Sequence, residues 1–395
     1  VVRGSDAISL LNLHDVILDV AVNPDRGYAM SIRGIARELA LGFNLPFTDP
    51  TSLAPDLPLI DNAEVTTPKI EAGADFIVLR SVESVDVSAP TPLVMARRLQ
   101  MAGMRSISLA VDITNYIMLE YGQPLHAFDK AKISGTLKVR RAGKTATLTT
   151  LDGQTRNLHA DDLLICNGAN NVGVGLAGVM GDLHSEITDK TTTLAIESAW
   201  FSPDPIRYSA IRHGLRSEAS IRFERGTDPN AWQQAAERFV TILRETCPDA
   251  TLHTGATAVQ TASCPVPMSV DVSVKRIESL LGVRIESERI VSILNSIGFV
   301  TTIKGDVVTS IVPTWRPDCT QDVDLIEEVA RHFGYDNIGK TVPNSTVHGR
   351  LSNMQARRRI LRRVLVGLGL DEAMPSPFLA QGDLASVGLS EDNVL

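Results

Sequence analysis

Four carboxylates near the end of the chain have the type and spacing that could hold a metal. In Asp322-Val323-Asp324-Leu325-Ile326-Glu327-Glu328-Val329-Ala330-Arg331 the apolar Val323, Ile326, Val329, Ala330 and then Phe333 recur at helical spacing. That predicts Asp324, Glu327 and Glu328 together on the opposite face at i, i+3 and i+4, with Asp318 added from the preceding turn. Crowded hard oxygen donors suit Mg2+ at modest affinity. The same spacing also suits a solvated acidic face balanced by Arg331. His126, in Gly122-Gln123-Pro124-Leu125-His126-Ala127-Phe128-Asp129, follows a predicted helix that carries Thr114 and Asn115. Histidine titrates near neutrality, so it is either a proton carrier or hydrogen-bond donor, or a structural residue. Glu197 interrupts the apolar run Leu194 to Ala199. Such a charge is either paired within the fold or reads a polar group on a ligand. Leu176-Ala177-Gly178-Val179-Met180-Gly181 has small residues that allow close approach, without the spacing or lysine of a phosphate-binding loop. No Ser/His/Asp order stands out.

The elements that must position these groups follow from periodicity and punctuation. Ile32, Ile35, Ala36 and Leu39 predict a short amphipathic helix ending near Gly42. Between about 60 and 220, β-rich runs (76–79, 106–111, 163–166) alternate with helical stretches and glycine turns, which suggests a mixed α+β domain. Asp228-Pro229 reads as an N-cap and first helical position before a helix that buries Trp232, Ala235, Phe239 and Ile242. The proline-bearing stretch Cys247 to Pro267 reads as a linker. Beyond it, the pattern predicts a helix over 274–281, one capped by Ser287, a hairpin of 299–303 and 307–312 turning at Lys304-Gly305-Asp306, and a helix over 322–333. Two helices, a hairpin and a third helix suggest a small winged-helix-like unit. An arginine-rich helix begins at Asn353 and carries Arg357, Arg358, Arg359, Arg362 and Arg363.

Bulk properties narrow the function classes. A chain of 395 residues calls for two or three domains. A net charge of −8 excludes a general polyanion-binding coat, leaving only local basic spots such as Arg212 to Arg225. The third helix of the small unit exposes carboxylates that phosphates would repel, which disfavours DNA binding. Cys166, Cys247, Cys264 and Cys319 show no CxxC spacing, against a zinc site or a disulfide framework. No apolar run reaches the ~18 residues of a membrane span, and the start has no signal-peptide layout, so a cytoplasmic protein is expected.

Several long motifs resemble the β subunit of bacterial phenylalanyl-tRNA synthetases. They are Thr114-Asn115-Tyr116 through Asp129, the Leu176 to Gly181 run, and Ser217-Glu218-Ala219-Ser220-Ile221-Arg222-Phe223-Glu224-Arg225-Gly226. Pro313-Thr314-Trp315-Arg316-Pro317-Asp318 leading into Asp324 to Arg331 completes the series. The resemblance spans essentially the whole chain. It implies a multidomain α+β fold: an N-terminal connecting segment (1–60), a mixed α/β editing domain (61–246), a winged-helix-like metal-binding domain (264–340), and the start of a class II synthetase-like catalytic-fold domain (350–395). A tRNA-binding segment before this region and an anticodon-binding domain after it are also implied, so the sequence reads as a fragment. The implied partners are an α subunit, in a heterotetramer of two α and two β subunits, and tRNA(Phe). ATP would be used by the α subunit, and Mg2+ would be held by Asp318, Asp324, Glu327 and Glu328. The implied activity is hydrolysis of tyrosine wrongly joined to tRNA(Phe). Glu197 would accept the phenol hydroxyl as a charged acceptor and His126 would orient the ester or the water. Thr114, Asn115, Gly178 and Ala219 would complete the pocket. The rival expectation is a scaffold whose pocket is degenerate. The sequence departs from the family pattern at Ile221, where a histidine is usual, at Asp182, where a glycine commonly stands, and in Asn23-Pro24-Asp25-Arg26-Gly27-Tyr28.

Overall fold

Strands covered on both faces read as nearly continuous apolar runs, and two such runs form the centre of this fold. A computed structural model describes residues 3–10, 14–50, 67–144, 146–253, 255–340, 349–380 and 382–390. It comprises two units, Val1–Gly339 and Lys340–Leu395. The stretch 51–66, with the expected junction between the 1–60 and 61–246 segments, lies outside the described residues.

The first unit opens with α1 (Ala7–Leu10) and α2 (Ile32–Gly42). Ser31 caps α2, its hydroxyl accepting from the Gly34 N–H at 3.0 Å. There follow β1 (Lys69–Ile70), β2 (Ala74–Glu83), α3 (Leu93–Met101), α4 (Leu109–Tyr121), β3 (Leu125–Asp129), β4 (Leu137–Arg141), β5 (Thr147–Thr149) and β6 (Thr155–Asn157). Then come β7 (Leu163–Asn167), β8 (Gly173–Leu176), β9 (Met180–Gly181), β10 (Leu194–Phe201), α5 (Pro203–His213), α6 (Glu218–Glu224) and α7 (Trp232–Thr246). One sheet runs β1-β4-β7-β8-β9, and a second runs β11-β2-β10-β3, with β11 (Thr251–Leu252) and also β12 (Thr257–Gln260) paired to β2. Alternate residues of the second sheet face opposite ways. Ile77, Leu79, Phe128, Ala195 and Ala199 pack toward the first sheet. Val82, Ala127, Leu194 and Ile196 pack with Leu99 of α3, Ile113 and Ile117 of α4, and Phe239 and Leu243 of α7.

Three sequence expectations are corrected here. Residues 106–111 are not a strand: Ser108 is the extended N-cap of α4, and buried Asp112 in the first turn accepts from the Ser106 hydroxyl and the Ile107 N–H, which winds the chain into a helix. Asp228-Pro229 does not start α7, whose N-cap is Ala231. Asp228 instead accepts from the Asn230 N–H and the Thr314 hydroxyl. The stretch Cys247 to Pro267 is more than a linker, because β11 and β12 return to pair with β2. The prolines at 248, 265 and 267 stand outside both strands, where a missing N–H breaks no ladder.

The rest of the first unit is β13 (Met268–Ser273), α8 (Val274–Leu281), α9 (Ser287–Ser296), β14 (Val300–Lys304), β15 (Val307–Val312) and α10 (Asp322–Phe333). The N-cap of α9 is Glu286, one residue before the expected Ser287. The antiparallel order β13-β15-β14 and three helices share a core of Ile277, Ile290, Leu294, Val308, Leu325 and Val329. The apolar face of α10 differs from expectation: Val323 is exposed, whereas Leu325 and Glu328 are buried. The second unit carries α11 (Asn353–Gly367), opened by a Ser352/Gln355 capping box, and α12 (Asp383–Ser386). Among the described residues no helix is long and apolar enough to cross a membrane.

Candidate functional site

Antiparallel pairing places residues of two strands directly opposite with side chains on one face. In the β10–β3 ladder, Glu197 stands opposite His126. Both lie on the face of Ala195 and Phe128, so they point between the two sheets. There they line a cleft with Phe128, Ile165, Gly178, Val179, Met180, Gly181, Ala219 and Phe223. Its free volume, about 80 Å³, is far below the ~300 Å³ of a drug-sized ligand site, so it suits one side chain rather than a whole ligand. A larger open depression lined by Leu93, Ala96 and Met104 has no buried titratable group in its lining.

Glu197 is 4% exposed, and its Oε2 has no hydrogen-bond partner among the described residues. Burial disfavours the ionised form and pushes this carboxyl up to about 8, so at neutral pH it carries a proton. Where the resemblance implied a charged acceptor, a carboxyl raised in this way can both donate and accept. Burial likewise pushes His126 down to about 4, leaving a neutral imidazole. Among the described residues no cation or anion pairs with either group, so the cleft presents two uncharged polar groups in an otherwise apolar lining.

The backbone makes that chamber possible. Gly178 has φ +67°, a conformation that L side chains rarely adopt, and a Cβ there would press on Ile206, Phe223 and Phe201 at 3.0–3.2 Å. Ala219 and Phe223 come from α6, capped by Ser217, whose hydroxyl also donates to the Val179 carbonyl at 2.8 Å and so ties α6 to the glycine-bearing turn. Thr114 and Asn115 lie on α4, outside the lining; the Thr114 hydroxyl donates to the Val111 carbonyl at 2.7 Å. The sequence departures leave the cleft intact. Ile221 is not in the lining, and buried Asp182 accepts from the N–H groups of His184 and Ser185, holding the turn after β9. Sequence reading missed Phe128, Val179 and Phe223, although Phe128 stands two residues from His126 and so shares its face.

The four carboxylates predicted as Mg2+ ligands do not gather into one donor set. Asp318 receives Arg316 through both oxygens, the shortest contact being 2.6 Å. Glu328 is 1% exposed and meets Arg26 and Arg316 each at 2.9 Å and Arg331 at 2.6 Å. Asp324 accepts from the N–H groups of Thr320 and Gln321 at 2.7 and 2.9 Å, capping α10. Glu327 is exposed and reaches Arg26 at 3.3 Å. Among the described residues the ligand atoms that do converge belong to Glu38, Glu328 and His332, and Arg331 bridges the two carboxylates. A cation would have to displace guanidinium groups, so these residues do not fit the implied ion in this arrangement. Although burial opposes charge at Glu328, Arg316 and Arg331 hold it down at about 2. Arg26, from the departing motif, fastens the chain before α2 to α10.

The family model of the B3/4 domain matches residues 73–248, and that of the tRNA synthetase B5 domain matches residues 270–335. The phenylalanine–tRNA ligase β subunit of Streptomyces avermitilis is 44% identical over 99% of this chain and 46% of its own length. That of Leifsonia xyli is 42% identical over 96% of this chain and 45% of its own. The chain belongs to the phenylalanine–tRNA ligase β-subunit family. It spans about half the length of the curated relatives it matches. Superposition on an N-terminal fragment of the phenylalanyl-tRNA synthetase β subunit from Pyrococcus horikoshii gives a TM-score of 0.40 at 15% identity, over 79% of this chain and 85% of that one, a likeness from which nothing further follows. In this β-subunit-family chain, the cleft of Glu197 and His126 lies inside the B3/4 match and the arginine-bound carboxylates inside the B5 match.

Proposed function

We propose that the cleft is an editing site that hydrolyses tyrosine from mischarged tRNA(Phe). One observation carries this reading: a buried carboxyl, one of whose oxygens has no hydrogen-bond partner among the described residues, faces an otherwise apolar, side-chain-sized cleft directly opposite a neutral histidine. An apolar synthetic site rejects an added hydroxyl only about a hundredfold, so a second site must demand that hydroxyl. A tyrosine phenol would pair with Glu197, donating to one oxygen and accepting from the carboxyl O–H. Phenylalanine would leave the group unpaired, at a cost of about 1–3 kcal/mol. His126, uncharged, can accept a proton from water or donate to the ester, and rate would come from positioning and polarisation. Thr114 and Asn115, one helix away, would shape the pocket only indirectly.

On this reading, residues 61–246 form the editing domain, 264–340 the small winged-helix-like domain, and 350–395 the start of a domain that packs on an α subunit. The working enzyme would contain two α and two β subunits and act on tRNA(Phe) in the cytoplasm. ATP and Mg2+ would serve the synthetic reaction on the α subunit. The test is hydrolysis of tyrosyl-tRNA(Phe) by the complete enzyme. Loss in Glu197→Ala and His126→Ala, with phenylalanyl-tRNA(Phe) spared by wild type, is expected. Equal, negligible hydrolysis in all three would instead favour a scaffold role.

A further inference from the structure

Phe128 and Gly181 both pack against the His126 ring. The fully buried Phe128 meets it edge-on, with ring centroids 4.3 Å apart and an interplanar angle of 75°. The ring also comes close to the β9 backbone: a Cβ built on Gly181 would stand 2.7 Å from His126 Cε1 and 3.0 Å from Nε2. Gly181 is not among the residues with positive φ, so its backbone conformation would accept alanine. The glycine is required by the space the imidazole occupies, and by Leu151, whose Cδ1 would lie 3.2 Å from the same Cβ.

We propose that Phe128 and Gly181 are positioning residues that lock the His126 imidazole in one orientation toward the cleft, opposite Glu197. Neither needs to touch substrate. The torsion that turns an imidazole is intrinsically broad, so it is contacts such as these that restrict the ring. The inference rests on the editing reading for its catalytic consequence but not for its geometry, and the two can fail separately.

The test uses the complete enzyme with Gly181→Ala and, because either substitution alone could impair folding, Phe128→Leu as an independent second variant. Undiminished phenylalanine charging verifies assembly of each. Acylation of individual histidines by diethyl pyrocarbonate, read by peptide mass spectrometry, reports on the ring itself. We expect His126 to label several-fold faster in both variants, with the half-exposed His159 as an unchanged internal reference. A misplaced catalytic group costs about 10²-fold, so kcat for tyrosyl-tRNA(Phe) hydrolysis should fall by about that factor with KM little changed. Unchanged labelling of His126 in both variants overturns the clamp, whatever the activity. Faster labelling in enzymes whose wild type hydrolyses no tyrosyl-tRNA(Phe) upholds the clamp and defeats the editing reading.

Discussion

Glu197 and Glu328 are the same residue type, 4% and 1% exposed, yet the fold treats them in opposite ways. Around Glu197 there is apolar surface and a neutral imidazole, and burial pushes its carboxyl up to about 8. Around Glu328 there are three guanidinium groups, which overcome burial and hold it at about 2. Burial alone therefore does not decide a carboxyl's role; the presence or absence of buried cations does. A carboxyl enclosed by arginines is joinery: here it fastens Arg26, ahead of α2, to α10. A carboxyl left without a partner persists by keeping its proton, and it is the group an incoming hydroxyl can satisfy.

The largest expected effect comes from making Glu328 resemble Glu197. Arg316→Met removes the guanidinium shared by Asp318 and Glu328 and should cost about 3–5 kcal/mol in urea unfolding, the usual penalty for leaving a buried charge unpaired. A change under about 1 kcal/mol would mean that Arg26 and Arg331 suffice. Acid should expose the same contrast without mutation. Because Glu328 is depressed in the fold, its contribution is fully present above the unfolded value of about 4.3 and is lost as pH falls toward 2. Unfolding midpoints from pH 6 to pH 2 should fall across that window in wild type and more shallowly in Glu328→Gln.

Glu197 reverses the sign. Its folded value lies above the unfolded one, so its burial costs nothing below about pH 4 and costs progressively more until pH 8. Glu197→Gln should therefore raise stability at pH 7, by about 3–4 kcal/mol, and leave it nearly unchanged at pH 4. Equal effects at both pH values would show that the carboxyl does not keep its proton.

Local order was readable as elements, though not always as faces. Helix α2, the β14–β15 hairpin with its glycine turn, and α10 all appear in the pattern, but on α2 the expected Ile32 and Leu39 are exposed while Gly34, Arg37 and Ala40 are buried, and on α10 Val323 is exposed while Leu325 and Glu328 are buried. The failures have physical causes. Ser106 to Val111 looks like a strand because Ile107, Leu109 and Val111 alternate, but the contacts of Asp112 with Ser106 and Ile107 start a helix there. β11 and β12 carry threonine and alanine rather than a long apolar run, so their pairing with β2 depends on a partner about 180 residues earlier, which no local window contains. The site was legible only in part. Glu197 showed as a charge in an apolar run, but its position opposite His126 is a matter of register. The arginines around Glu328 come from three separate segments, so the spacing of α10 alone offered only Arg331 as a balance and left Mg2+ as the other reading.

The smallest effect sharpens the comparison most finely, because it concerns the residue next to Glu328. Glu327 is 55% exposed at its side chain and reaches the same Arg26, at 3.3 Å rather than 2.9 Å. Water already solvates it, so the ion pair gains little over its separated charges and is screened by salt. Glu327→Gln should cost no more than about 1 kcal/mol, and the cost should vanish in molar salt. Glu328→Gln, one residue on, leaves buried guanidinium groups without their counter-charge and should cost several times as much at either salt concentration. Equal costs would mean that Arg26, Arg316 and Arg331 are held by something other than the buried carboxylate, and that the contrast with Glu197 lies in desolvation alone.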